Sequence, residues 1–273
     1  MTRLALLVTL SFSATTLAAI GYVDFDGTEL GLVSYTNSTY AYTGPGLGTN
    51  ASFVTPGTAT TSWVAGDSFW PLNRGNVGPN GIGMPFNISD DSVVGAAGNT
   101  TFAADVLGFA GQAFNNGFFG VTDTENPVNS GFINADFVFD ISGQSNLSIS
   151  VDMVAMGDFE LADQFIFSYH IDGGPFTILW FITADESASQ SYTMDSGAVV
   201  TLDDPLVVGS TYLTDLFQTF TANIAGTGSL LTIRFAAITD GNEGFGFDNL
   251  RIVPEPSSLG LLALGGLALI RRR

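Results

Sequence analysis

Five acidic residues stand where they could hold a hard cation: Asp24 and Asp26 early in the chain, Asp240, Glu243 and Asp248 late in it. With the two-residue period of a strand, Asp248 shares the inward face of a final strand with Leu250 and Ile252. A buried carboxylate without a partner is costly, and a Ca2+ ion, which takes about six to eight oxygen ligands, would offset that cost. One structural Ca2+ held by some of Asp24, Asp26, Asp240, Glu243 and Asp248 is therefore expected. The plainer alternative has Asp248 and Asn249 capping a turn and the other acids solvated. Asp123-Thr124-Glu125-Asn126 is a second oxygen-rich stretch, but it lacks EF-hand spacing and reads as an acidic loop.

Catalytic chemistry has few candidates. His170 is the single histidine, it falls on the outer face of a mid-chain strand, and no Gly-x-Ser-x-Gly elbow accompanies it. Asp158 and Glu160 would share one face of an extended segment, yet nothing else in the sequence completes a glycosidase site. No enzymatic activity is expected. Sugar binding needs exposed aromatic rings, and Trp63, Trp70, Trp180, Phe118 and Phe119 are available. Trp63 and Trp70 lie in loop-rich sequence and are the better platform candidates, whereas core packing accounts for most of the others.

The charge balance narrows the partners. The chain has 26 acidic and 7 basic residues, a net charge of −19, and no lysine, so nucleic acid and anionic lipid are not expected to bind its folded part. It has no cysteine, which removes disulfides and thiolate metal sites and leaves a packed core or oxygen-bound ions to stabilise it.

The elements that must position these residues are strands. Leu147, Ile149, Val151 and Met153 alternate with polar residues, as do Phe165, Phe167, Tyr169 and Ile171; Phe137, Phe139 and Ile141 form a third run, and Leu231, Ile233 and Phe235 a fourth. Asp172-Gly173-Gly174-Pro175 reads as the turn of a hairpin leading into residues 176–182. Only residues 100–114 hint at a helix, and residues 36–99 read as long loops and edge strands. Strands with one apolar face each must pair two sheets, so the expected fold is all-β, an antiparallel β-sandwich of jelly-roll type over residues 19–252. Phe139-Asp140-Ile141-Ser142, Leu147 to Asp152, Asp163 to Tyr169, Ile171 to Gly174 and Phe245-Gly246-Phe247-Asp248-Asn249-Leu250-Arg251-Ile252 resemble the ordered landmarks of carbohydrate-binding-module-like jelly rolls. That resemblance implies the same sandwich, with first and last strands meeting at a structural calcium.

The two ends concern delivery. Met1-Thr2-Arg3, the apolar run Leu4 to Phe12 and the small residues that follow predict a signal peptide over residues 1–18. At the other end Leu259 to Ile270 is an uncharged run of 12 residues followed by Arg271, Arg272 and Arg273. As a helix it would reach only about 18 Å, short of a bilayer core of about 30 Å, and its arginines fit a cytoplasmic stub. Pro254-Glu255-Pro256 ahead of this short transmembrane helix and the arginines resembles the PEP-CTERM sorting signal of Gram-negative bacteria. The resemblance implies an exosortase-type processing enzyme as partner, transient membrane anchoring through residues 253–273 alone, and a final place at the cell surface or outside. Pro254 to Ser258 reads as a linker. The combined expectation is a noncatalytic, exported bacterial surface or extracellular-matrix protein. A carbohydrate-binding module recognising an extracellular polysaccharide is the alternative.

Overall fold

The computed structural model describes residues 18–38, 68–73, 89–95, 98–101, 117–122, 124–125, 131–193, 199–240 and 243–255. Their first half forms β1 (Gly21–Val23), β2 (Glu29–Leu30), β3 (Leu32–Asn37), β4 (Ser68–Asn73), β5 (Ser89–Gly95), β6 (Gly98–Thr101), β7 (Gly117–Thr122) and β8 (Ile133–Asp140). The middle forms β9 (Leu147–Met156), β10 (Gln164–Ile171), β11 (Thr177–Ala184), β12 (Ser189–Thr193) and β13 (Val199–Asp203). The remainder forms β14 (Leu206–Val208), β15 (Thr211–Tyr212), β16 (Gln218–Ile224), β17 (Leu230–Ile238) and β18 (Gly244–Pro254). No helix occurs among the described residues, and none there is long and apolar enough to cross a membrane. The helix expected over 100–114 starts inside β6 instead; its remaining residues, like the signal peptide and the apolar tail, lie outside the described residues.

One sheet runs β16-β9-β18-β1-β2, with β7 and then β4 continuing from the far end of β18; the other runs β15-β14-β11-β10-β17-β8-β3. All pairings are antiparallel. From β8 to β10 and again from β16 to β18 the chain changes sheet with every strand, so most neighbours in a sheet are distant in sequence. This is a β-sandwich of jelly-roll type.

The alternation read from the sequence explains why the two sheets close. Ile149, Val151 and Met153 of β9 face Phe137, Phe139, Phe165, Phe167, Ile233 and Phe235 of the opposite sheet, and all are fully buried. Aromatic rings bridge the layers: Phe245 stacks on Phe165 with centroids 4.6 Å apart, and Phe247 tilts against Phe235 at 4.8 Å. Offset and edge contacts of this kind add about 0.5–1.5 kcal/mol per pair beyond the area they bury. The hairpin turn forms as expected. Asp172 and Gly173 have φ of 50° and 74°, and the Gly174 N–H donates to the Ile171 carbonyl at 3.0 Å, which makes a tight turn at the head of the longer connection from Ile171 to Thr177.

Candidate cation site and the sorting tail

The five acids expected around one ion fall into two groups. From Glu243 to Asp248 the chain advances five positions along extended backbone, roughly 15 Å, whereas two ligands of one Ca2+ lie within about 5 Å of each other. Asp24, Asp26 and Asp248 gather beside Asp152, while Glu243 and the backbone of Asp240 gather at Asp163.

Asp248 is buried, but it does not share the inward face with Leu250 and Ile252. β18 pairs Asp248 with Asp152, then slips, and resumes with Arg251 opposite Ser150. The extra residue is Asn249, whose φ of 50° makes the bulge. Phe245 and Phe247 therefore point inward, Asp248 outward, and Leu250 and Ile252 inward again. Asn249 ties this patch together: its amide donates to Asp152 Oδ2 at 3.0 Å and Asp248 Oδ2 at 3.2 Å, and its Oδ1 accepts from the Tyr22 hydroxyl at 2.6 Å. Asp248 Oδ1 accepts from the Asn249 N–H at 2.6 Å. Burial first, and then the charges of Asp26, Asp152 and Asp24, push the Asp248 carboxyl up to about 8. Asp26 is also raised, chiefly by burial, although its Oδ1 accepts from the Gly117 N–H at 2.6 Å. Asp24 closes a turn by accepting from the N–H groups of Asp26 and Thr28.

The second group is built by the loop between β9 and β10. Met156 ends β9, so Asp158 and Glu160 do not sit on a strand as one expectation had it. Phe159 is fully buried between them and packs edge-on against Phe165 at 6.2 Å, which fixes the loop to the core. At its end Asp163, also buried, accepts from the Glu160 N–H at 2.8 Å and the Asp240 N–H at 3.0 Å. Glu243 arrives just before β18 and is 5% exposed. One carboxylate oxygen from each of Glu160, Asp163 and Glu243 lies within 4.8 Å of the others. Burial, and then the Asp163 charge, holds the Glu243 carboxyl well above the ordinary carboxylate range; burial raises Asp163 too. Asp240 is exposed, and its backbone N–H takes part. Glu160 and Asp163 were missing from the expected ligand set. Their spacing with Asp158 in one short loop was visible, but their meeting with Glu243 depends on which strands become neighbours.

The aromatic candidates divide similarly. Phe118 and Phe119 are fully buried and cannot meet a sugar, because Phe119 joins the core and Phe118 packs against Phe217 on the other side of β7. Trp180 lies half-buried against Phe167 at 5.7 Å. Trp70 is on β4 opposite Gly120, and Trp63 lies outside the described residues. Among the described rings Phe132, Tyr212, Phe176 and Phe181 are exposed; the last two lie on the outer side of the second sheet, where the Arg234 guanidinium sits 4.3 Å over Phe176. Arg234 is clamped to Asp136 by two hydrogen bonds of 2.7 Å. His170 lies edge-on to Phe176, and its Nδ1 accepts from the Gly173 N–H at 3.2 Å. Of the Asp123 to Asn126 stretch, Thr124 and Glu125 are described: the Thr124 hydroxyl accepts from the Thr239 N–H at 3.0 Å, and the Glu125 N–H donates to the Thr239 carbonyl at 2.8 Å.

The C-terminal strand continues past its expected boundary. Val253 and Pro254 still pair with Ser148 and Leu147, and the Glu255 N–H donates to the Asn146 carbonyl. The linker expected from Pro254 thus begins inside the sheet. Pro256 and Arg271 to Arg273 lie outside the described residues. Residues 253–273 match the family model of the PEP-CTERM protein-sorting motif. The chain carries a PEP-CTERM sorting motif. No curated protein matches the chain at a level that marks a relative. Among solved structures, it is similar to the K1 cleaved adhesin domain of Lys-gingipain from Porphyromonas gingivalis W83, at 10% identity over 86% of this chain and 98% of that one, TM-score 0.35. It is also similar to the family 11 carbohydrate-binding module of Clostridium thermocellum, solved with a β-1,3-1,4-mixed-linked tetrasaccharide, at 14% identity over 53% of this chain and 78% of that one, TM-score 0.26. A third similar structure comes from work on endo-acting O-glycanases of the human gut microbiota, at 10% identity over 88% of this chain and all of that one, TM-score 0.36. Likenesses this distant decide neither ligand nor activity.

Proposed function

We propose that this is a noncatalytic, exported bacterial surface or extracellular-matrix protein, a single sandwich delivered by its PEP-CTERM tail and processed by an exosortase-type enzyme. The observation that supports it is the sorting motif at residues 253–273, which starts on the last strand of the folded domain. In a host with an exosortase, the expected product is a shortened chain outside the cytoplasm, while deleting the exosortase leaves the full tail on a membrane-bound species. Intact chain in the cytosol of exosortase-positive cells, with both ends present, would contradict the proposal.

A second reading, binding of an extracellular polysaccharide, is favoured by the outer face of the second sheet. Phe176 and Phe181 are 40% and 47% exposed there, and Phe176 lies under the guanidinium of the fixed Arg234–Asp136 pair. Rings supply stacking surface for sugars, and the pair supplies oriented donors and acceptors for hydroxyls. Affinity electrophoresis through embedded polysaccharides should show retardation that falls about tenfold or more in Phe181→Ala and Phe176→Ala. Equal mobility of both variants and the parent in every polysaccharide removes this reading.

A further inference from the structure

We infer that Glu160, Asp163 and Glu243 form a binding site for a hard divalent cation of the calcium class, which clips the loop between β9 and β10 to the start of β18. Three observations carry it. The three carboxylates converge, with one oxygen of each within 4.8 Å of the others. Glu243 is 95% buried, being 5% exposed, and its Oε2 has no hydrogen-bond partner. Gly157 leaves room for it: a Cβ there would lie 2.6 Å from the Glu243 Cβ, so the side chain can reach the cluster only past a glycine.

Positive charge to balance this group is absent among the described side chains. Arg234 is held by Asp136, Arg251 lies 4.9 Å over the Tyr22 ring, and His170 is occupied at the hairpin turn. A cation bound to the Glu243, Asp163 and Glu160 oxygens would supply that charge and give Oε2 its partner. The donors are all oxygen, with no histidine or thiolate, which selects against zinc and copper. Calcium tolerates an irregular shell completed by carbonyls and water, whereas magnesium demands a near-octahedral one, so a cluster with one accessible and two buried acids suits calcium better. Asp163 already spends a hydrogen bond on each side of the gap, to Glu160 and Asp240, which sets the loop in position before the ion arrives.

The competing arrangement is a proton shared between Glu243 and Asp163, and the two behave oppositely. The full chain, stripped with EDTA and dialysed to pH 7.5, should melt roughly 5 °C higher in millimolar Ca2+ and show saturable heat in calorimetry, with Mg2+ much weaker. Glu243→Gln and Glu160→Gln should each weaken Ca2+ binding about tenfold or more, while Asp248→Asn keeps the full response. Glu160 is the more accessible, so Glu160→Gln carries the test if Glu243→Gln fails to fold. No heat and no shift in the parent, a response that survives both glutamine variants, or one abolished by Asp248→Asn would each overturn the inference.

Discussion

Asp248 shows how much one side chain can disturb a stability profile. Its carboxyl sits at about 8 in the fold and at about 4 in an unfolded chain, so between those values the folded state holds a proton that the unfolded state has lost. The stabilisation is complete below about pH 4 and disappears as pH rises through about 8. Asp26, Asp163 and Glu243 are raised in the same direction and add to the slope. In EDTA, the stability of the parent, read as its melting temperature, should therefore fall as pH rises from about 5 to about 8, with Asp248 alone contributing up to about 1.4 kcal/mol per pH unit. Asp248→Asn should flatten that fall and be the more stable protein at pH 8.5; superimposable profiles would refute the argument. The sequence made Asp248 conspicuous as a buried acid. It could not show which face the residue takes, because strand period assumes an unbroken ladder and Asn249 interrupts it with a left-handed residue. Asparagine tolerates that conformation, but an Asp-Asn pair inside an apolar run only permits a bulge and does not require one.

At the scale of elements, alternation was the reliable signal. β8, β9, β10 and β17 bury the side chains their periodicity nominated, apart from the half-buried Ile171 at the end of β10, because a sheet with one wet face leaves each residue only two orientations. The end of β18 was less legible. Proline lacks an N–H and the Pro-Glu-Pro run looks like a linker, yet a carbonyl still accepts and Val253 and Glu255 still pair. Ending the chain after Ile252 should cost about 1–2 kcal/mol relative to ending it after Glu255, since ladder bonds to Ser148 and Asn146 are lost. Urea melts of the two truncations measure this, and equal midpoints would mean that these last residues contribute nothing.

For the molecule as a whole, the sandwich could be foreseen because it is a sum of local patterns. The acid clusters could not, since Glu160 and Glu243 are brought together only when β9 and β18 become neighbours in one sheet. The sorting motif was likewise legible, because it is read as linear sequence; under the proposed function, removal of residues 256–273 should abolish membrane retention while leaving the sandwich folded. β18 runs into the first residues of this tail, so the proposed anchoring would bear on which end of the domain lies near the membrane. Were the apolar run from Leu259 held in lipid as proposed, only residues 256–258 would separate Glu255 from it, a tether of at most about 14 Å. With the sorting tail anchored as proposed, the rim formed by residues 141–146 and 225–229, where β18 ends, would be the part of the domain nearest the headgroups, and Gly244, about 30 Å away at the opposite end of β18, would be the farther end of that strand. Glu243 and its neighbours would thus face outward from the cell, bathed in whatever calcium the surroundings provide.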